Sequence, residues 1–256
     1  MKNSPKAWLN ALFFVITLLI NTLGAIGIIN GLTQKQVSDM YPTLITPSSI
    51  TFSIWGIIYV LLLISILLII IKRHDSYYQM MKERISGLFI LSSIFNCLWI
   101  ISFSYLYLEL SVLFIFALTI TIVLICKILF DYDHRHRFLL ALTFGLYAGW
   151  LVIATVVNVA ATLVKIEWNS FGLSHEIITI VVLAAAILIV ILITASIRNA
   201  AFPLPIAWAY FGIYQSLTIQ PQSTLLATIV LAGCAILVVV ALINYYRNQF
   251  AILPKI

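Results

Sequence analysis

Seven side chains carry what chemistry the sequence offers: Trp55, Tyr59, Asn96, Trp99, Tyr147, Trp150 and Asn158. They fall at helical spacing. Phe52, Trp55 and Tyr59 form one stripe, and Asn96, Trp99 and Phe103 a second. Tyr147, Trp150, Ala154 and Asn158 make a third, and Trp208, Phe211 and Gln215 a fourth. Such spacing puts each set on one helix face. Aromatic faces with a few amides suit a small-molecule pocket. Two plainer roles compete. Trp and Tyr gather at membrane interfaces in general, and buried Asn often joins helices by hydrogen bonds. The belt role fits Trp8 and Trp168 at span ends but not Trp150 near mid-span.

Other chemistry is missing. No Asp, Glu, Lys, Arg or His falls well inside an apolar run; Glu109, Lys127 and Glu176 stand at run ends. Proton relays and ion paths use such groups, so their absence argues against an ion-coupled pump or a proton antiporter and removes a retinal pigment needing a central Schiff-base Lys. There is no H-E-x-x-H, G-x-S-x-G or P-loop pattern. His134 and His136 lie two apart beside Asp131 and Asp133, which reads as a solvated loop before it reads as a metal site. Cys97, Cys126 and Cys234 are scattered in apolar runs and suggest neither disulfide nor zinc.

The elements that must position these residues follow from composition. Of 256 residues, 63% are hydrophobic and 9% charged, with a mean hydropathy of +1.15. A soluble domain of this size has no interior for so much apolar surface. The net charge of +6 is assigned to span flanks, not to nucleic acid. About 20 apolar residues cross a bilayer, and the expected fold is an all-α, polytopic membrane helix bundle of about eight spans. They run near Trp8–Ile28, Ile50–Ile71, Ser86–Leu106, Leu110–Phe130, Phe138–Val164, Glu176–Ile197, Phe202–Ile219 and Thr224–Tyr246. The first is too long for a signal-peptide core and no A-x-A site follows it. The seventh is the shortest and opens with Phe202-Pro203-Leu204-Pro205, where proline suits a first turn.

With the N-terminus inside, 12 of the 14 Lys and Arg sort to one side, leaving only Lys35 and Lys165 outside. Both termini are therefore expected in the cytoplasm, in a multi-pass protein of the cell membrane. The long outer segment Ile29–Ser49 holds Gly31, Pro42 and Pro47 and is expected to be a packed lid. At about 1.5 Å per residue, Trp55, Trp99 and Asn158 lie roughly 8, 10 and 9 Å below the outer ends of their helices. One pocket in the outer half, under the lid, is the expectation. Ala184, Ala185 and Ala186 should let helices approach closely.

The motifs resemble the tryptophan-rich sensory protein family, also called translocator protein or peripheral benzodiazepine receptor. The family's second helix follows a proline and carries Phe, Trp and Tyr; here "TPSSITFSIWGIIYVLL" supplies Pro47, Phe52, Trp55 and Tyr59. Its third carries Asn-x-x-Trp, here Asn96 and Trp99 in "NCLWIISFSYLY". Its fifth reads Tyr-x-x-Trp, Ala-Thr and Asn, here Tyr147, Trp150, Ala154, Thr155 and Asn158. The resemblance spans roughly Trp8–Val164 and implies a five-helix bundle over residues 1–164, with residues 165–256 adding three helices in the same membrane unit. It departs at a paired proline reduced to Pro47 and at Leu146, where the family has proline. The cholesterol-contact motif is not met.

The resemblance implies a binding or sensory membrane protein taking a tetrapyrrole such as porphyrin or haem, bound non-covalently, on the seven residues above. Its partners would then be the bilayer and a small hydrophobic ligand, and a homodimer is compatible with it. A transporter or permease subunit for a small hydrophobic solute is the alternative, drawing on the proline-marked seventh span. An enzyme is not expected, apart from the porphyrin chemistry proposed for the family's tryptophans, here Trp99 and Trp150.

Overall fold

Away from water, a backbone must satisfy its own polar groups, and a helix does so within one segment. The computed structural model, which describes residues 5–132, 137–219 and 224–254, is accordingly helical, without strands among those residues. The helices are α1 (Pro5–Ala25), α2 (Gln34–Met40), α3 (Ile54–Ile71), α4 (Ser76–Ser104), α5 (Leu108–Tyr132), α6 (Phe138–Lys165), α7 (His175–Ile197), α8 (Pro203–Thr218) and α9 (Thr224–Arg247). Seven, all but α2 and α8, are long and apolar enough to cross a membrane, counting the 3₁₀ turn Ser49–Ser53 with α3. The chain is a polytopic helical bundle.

Five helices pack in a ring, in the order α1, α3, α6, α5, α4 and back to α1. Side-chain ties set which ends meet. Lys6 at the start of α1 pairs with Glu83 near the start of α4. Asp75 caps α4 by accepting from the Tyr77 N–H at 2.9 Å, and it pairs with Arg137, beside the start of α6, at 2.7 Å. The Arg137 hydrogen bond holds the Asp75 carboxyl below its usual range. At the opposite end Lys165 closes α6 and bonds Glu109 at the start of α5 at 2.7 Å. Asn248, just past α9, donates to the Arg198 carbonyl just past α7 at 2.8 Å, and the Arg198 guanidinium lies over the Phe130 ring near the end of α5. The start of α1 and the end of α9 therefore share one end of the bundle, which also holds most of the described Lys and Arg. Lys2, Arg135 and Lys255 lie outside the described residues, as do Asp133, His134 and His136; Asp131 itself pairs with Lys127 at 3.1 Å.

The expected seventh span is α8, and at 16 residues it is about 24 Å long, short of a bilayer core of about 30 Å. The reason is where it begins. Residues 199–202 form a buried turn between α7 and α8: Asn199, Ala201 and Phe202 have no exposure. Its polar groups are met from within. Asn199 donates to the Ala141 carbonyl at 2.7 Å and accepts from the Ala201 N–H at 2.9 Å. The Ala200 N–H donates to the Ile252 carbonyl at 2.9 Å. Irregular backbone survives among membrane helices only when enclosed in this way. Gly149 allows the approach: a Cβ there would stand 2.1 Å from the Phe202 carbonyl oxygen. Because Gly149 lies 11 residues into α6, α8 starts about 16 Å along its neighbour. Pro203 and Pro205 sit in its first turn and do not interrupt it, which removes the broken-helix argument for a transporter.

The remaining contacts place α8 against α6 and α9, and α7 against α9, α6 and α5. The chain between α1 and α3 is ordered. Thr33 and Gln36 form a reciprocal cap on α2, and fully buried Val37 packs with Phe103, Leu108 and Ala161.

Candidate functional site: an aromatic cluster inside the helix ring

The ring brings the seven residues together. Trp55, in the first turn of α3, is the hub. Its ring centroid lies 5.4 Å from Tyr59, 5.9 Å from Trp99, 6.0 Å from Tyr147 and 6.0 Å from Trp150. The Tyr59 contact is stacked, and those to Tyr147 and Trp150 are edge-to-face, the arrangements that ring quadrupoles favour. Phe52 extends the group, 6.1 Å from Trp150. Trp55 and Tyr59 are half-buried, whereas Trp99, Tyr147 and Trp150 are buried.

Two amides organise the polar part. Asn96 has no exposure and donates to the Tyr147 hydroxyl at 3.1 Å. Its carbonyl accepts from Asn21 on α1 at 2.6 Å. Asn158 accepts from the Trp99 indole N–H at 2.9 Å and donates to the Ser111 hydroxyl on α5 at 2.9 Å. All five ring helices thus send a polar or aromatic group inward. Sequence reasoning missed Asn21 and Ser111. An amide within the apolar run "LLINTLGA" was the available signal for Asn21; a lone Ser at a helix start gave none.

Two polar atoms of the cluster stand apart. The Trp150 indole N–H and the Tyr59 hydroxyl are enclosed, and neither meets a hydrogen-bond partner among the described residues. Trp99, the neighbour of Trp150, has its indole N–H satisfied, so the two central tryptophans differ.

The fourth stripe does something else. Trp208 donates to the Thr51 carbonyl at 2.9 Å, and Gln215 accepts from the Ser48 hydroxyl at 3.0 Å. Gly212 sits where a Cβ would meet the Thr51 hydroxyl at 1.9 Å, and its carbonyl accepts from the Ser48 N–H at 3.0 Å. These contacts fasten α8 to the turn that starts α3, and so fix the height of Trp55. Phe103 is also outside the cluster, packed beneath α2.

The cluster is closely packed. A large cavity, about 1580 Å³, lies elsewhere, between α5, α6 and α7, and none of the seven residues lines it.

The family model for TSPO-like protein matches residues 7–243. The chain belongs to that family. The match continues past Val164, where the motif resemblance ends, through α7, α8 and most of α9. The TSPO-like chain is thus matched as a whole, added helices included. No match was found among curated proteins or among solved structures.

Proposed function

We propose that this TSPO-like protein is a membrane binding or sensory protein that takes a flat hydrophobic ligand of the tetrapyrrole class, non-covalently, in the aromatic cluster. The observation that carries the reading is the unmet Trp150 donor. A buried donor without a partner costs about 1–3 kcal/mol, and more where no water reaches it. A ligand acceptor, such as a porphyrin carboxylate or carbonyl, relieves that cost on binding. Family membership supports the same reading, since the motifs that carry the resemblance are the ones that build the cluster.

The roles follow from chemistry. Trp55, Tyr59, Tyr147 and Trp99 offer π faces for stacking. Trp150 donates to the ligand. Asn96 and Asn158, held by Asn21 and Ser111, fix the ring orientations. The rings now contact one another, so the ligand replaces ring-to-ring contacts. The half-buried Trp55 on α3 is the side chain that yields. No acid, base or nucleophile stands in the cluster, so binding and not catalysis is the proposed role. The Lys- and Arg-rich end is assigned to the cytoplasm of a cell-membrane protein, which puts the cluster in the outer half under the α2 segment.

Titration of purified protein in nanodiscs with protoporphyrin tests this. A saturable shift of the Soret band, weakened in Trp55→Ala and Trp150→Phe, is expected. A shift that never saturates, or that is the same in both variants, refutes it.

A further inference from the structure

The cavity between α5, α6 and α7 is separate from the aromatic cluster. Its apolar wall includes Val152 and Val156 of α6 and Ala185, Ala186 and Ile189 of α7. Of the three alanines expected to bring α7 close to a neighbour, Ala186 is buried, while Ala184 and Ala185 are exposed and Ala185 lines the cavity. Of the hydroxyls in the wall, Thr119 and Thr155 donate to the Ile115 and Leu151 carbonyls of their own helices, and Thr179 and Ser170 add two more. The interior is otherwise apolar. Exposed Phe116, Ile120 and Ile189 form its rim, so it opens sideways, toward lipid.

The mouth at the α2 end is different. Glu167, Trp168, His175 and Glu176 line it. No Lys or Arg does. Both lysines at this end are already neutralised, Lys35 by Asp39 and Lys165 by Glu109. Glu167 and Glu176 have no ion-pair partner among the described residues. Two carboxylates without ion-pair partners and an indole, lining the same end of a long apolar chamber, match a cationic amphiphile. The carboxylates attract the charge, the Trp168 face adds cation–π attraction, and the chamber takes the hydrocarbon.

We infer that the α5–α6–α7 cavity is a second binding site, for a hydrophobic ammonium compound. The head sits between Glu167, Glu176 and Trp168, and the tail lies along Val152, Val156 and Ile189. The ligand enters from the bilayer between α5 and α7. The occupant is distinguished from bulk lipid by the sign of its charge.

A matched pair of probes separates the two: spin-labelled octadecyltrimethylammonium and spin-labelled stearate, each titrated into nanodiscs containing the protein. The motionally restricted fraction reads binding. The ammonium probe should bind at least about tenfold more tightly than stearate, the scale of one partly desolvated charge contact. In the double variant Glu167→Gln, Glu176→Gln that preference should disappear. Val159→Trp, which fills the rim, should release both probes. Porphyrin titration on the same variants should be unchanged, because the cluster is a different site; its failure in wild type would bear on the cluster alone. Equal restriction of both probes by wild type, or a preference that survives in the double variant, overturns the inference and leaves the cavity as a place for ordinary lipid chains.

Discussion

Trp99→Phe and Trp150→Phe remove the same atoms from buried sites 8% and 2% exposed. The packing losses are therefore similar and largely cancel in comparison. What differs is the hydrogen bond. Trp99 donates to Asn158 at 2.9 Å, so its replacement loses a bond worth about 0.5–1.5 kcal/mol. The Trp150 donor is unmet, so its replacement removes a penalty of about 1–3 kcal/mol. Trp150→Phe should be the more stable variant by about 2–4 kcal/mol. At about 2 °C per kcal/mol for a chain of this size, that is a gap of at least about 4 °C in melting temperature in the same nanodiscs. The gap should narrow with ligand. A ligand at 100 times its Kd stabilises the native state by about 2.7 kcal/mol. Protoporphyrin should raise the melting temperature of wild type and Trp99→Phe by several degrees, and that of Trp150→Phe by clearly less. If the ligand-free Trp150→Phe melts below Trp99→Phe, the indole donor is not an unmet one. If porphyrin protects both variants equally, it does not accept from Trp150.

Gly149→Ala should separate α8 from α6, costing about 1–3 kcal/mol from overpacking, because the obstacle is the Phe202 carbonyl. Gly56→Ala meets nothing within 4 Å and should stabilise α3 by up to about 1 kcal/mol; thermal melts of the two give opposite signs. Reporter fusions after α9 and in the α1–α3 segment should report opposite sides of the membrane, with the α9 fusion cytoplasmic; a shared side would contradict the bundle. Asp75→Asn keeps the α4 cap but removes the Arg137 pair. The lowered carboxyl range of Asp75 makes its contribution full above the unfolded value of about 4 and lost as pH falls through the folded value. Wild type should therefore melt above Asp75→Asn at pH 6 and lose that advantage in the acid range, as followed by melts across pH.

The membrane class, the helical fold and the inward residues were legible because each is a property of one segment. A run of 20 apolar residues, a Trp three places from an Asn, and a lysine at a span end carry their meaning locally. The seven cluster residues were legible because each stripe keeps one helix face, and one face of a ring helix must point to the middle.

The relation between segments was not legible. The sequence shows Phe202-Pro203-Leu204-Pro205 but not that the preceding turn is enclosed, which shortens α8. That depends on Gly149 and Ala141, some 50 to 60 residues earlier. The Trp208, Phe211 and Gln215 stripe has the same spacing as the cluster stripes, yet it faces the Ser48–Thr51 turn. Periodicity fixes a face and not the neighbour it meets. Likewise the three alanines of α7 permit a close approach, yet only Ala186 is buried, and Ala185 lines a cavity.

By itself the sequence determined that the chain is a polytopic helical bundle, roughly where its apolar helices run, and which side chains share a face, because these follow from solvation and helical repeat. Only the tertiary structure decided that Trp99 finds Asn158 while Trp150 finds no acceptor among the described residues, and that a large cavity lies outside the aromatic cluster. Those outcomes turn on how helices distant in sequence cross, and on distances of an ångström that no single segment encodes.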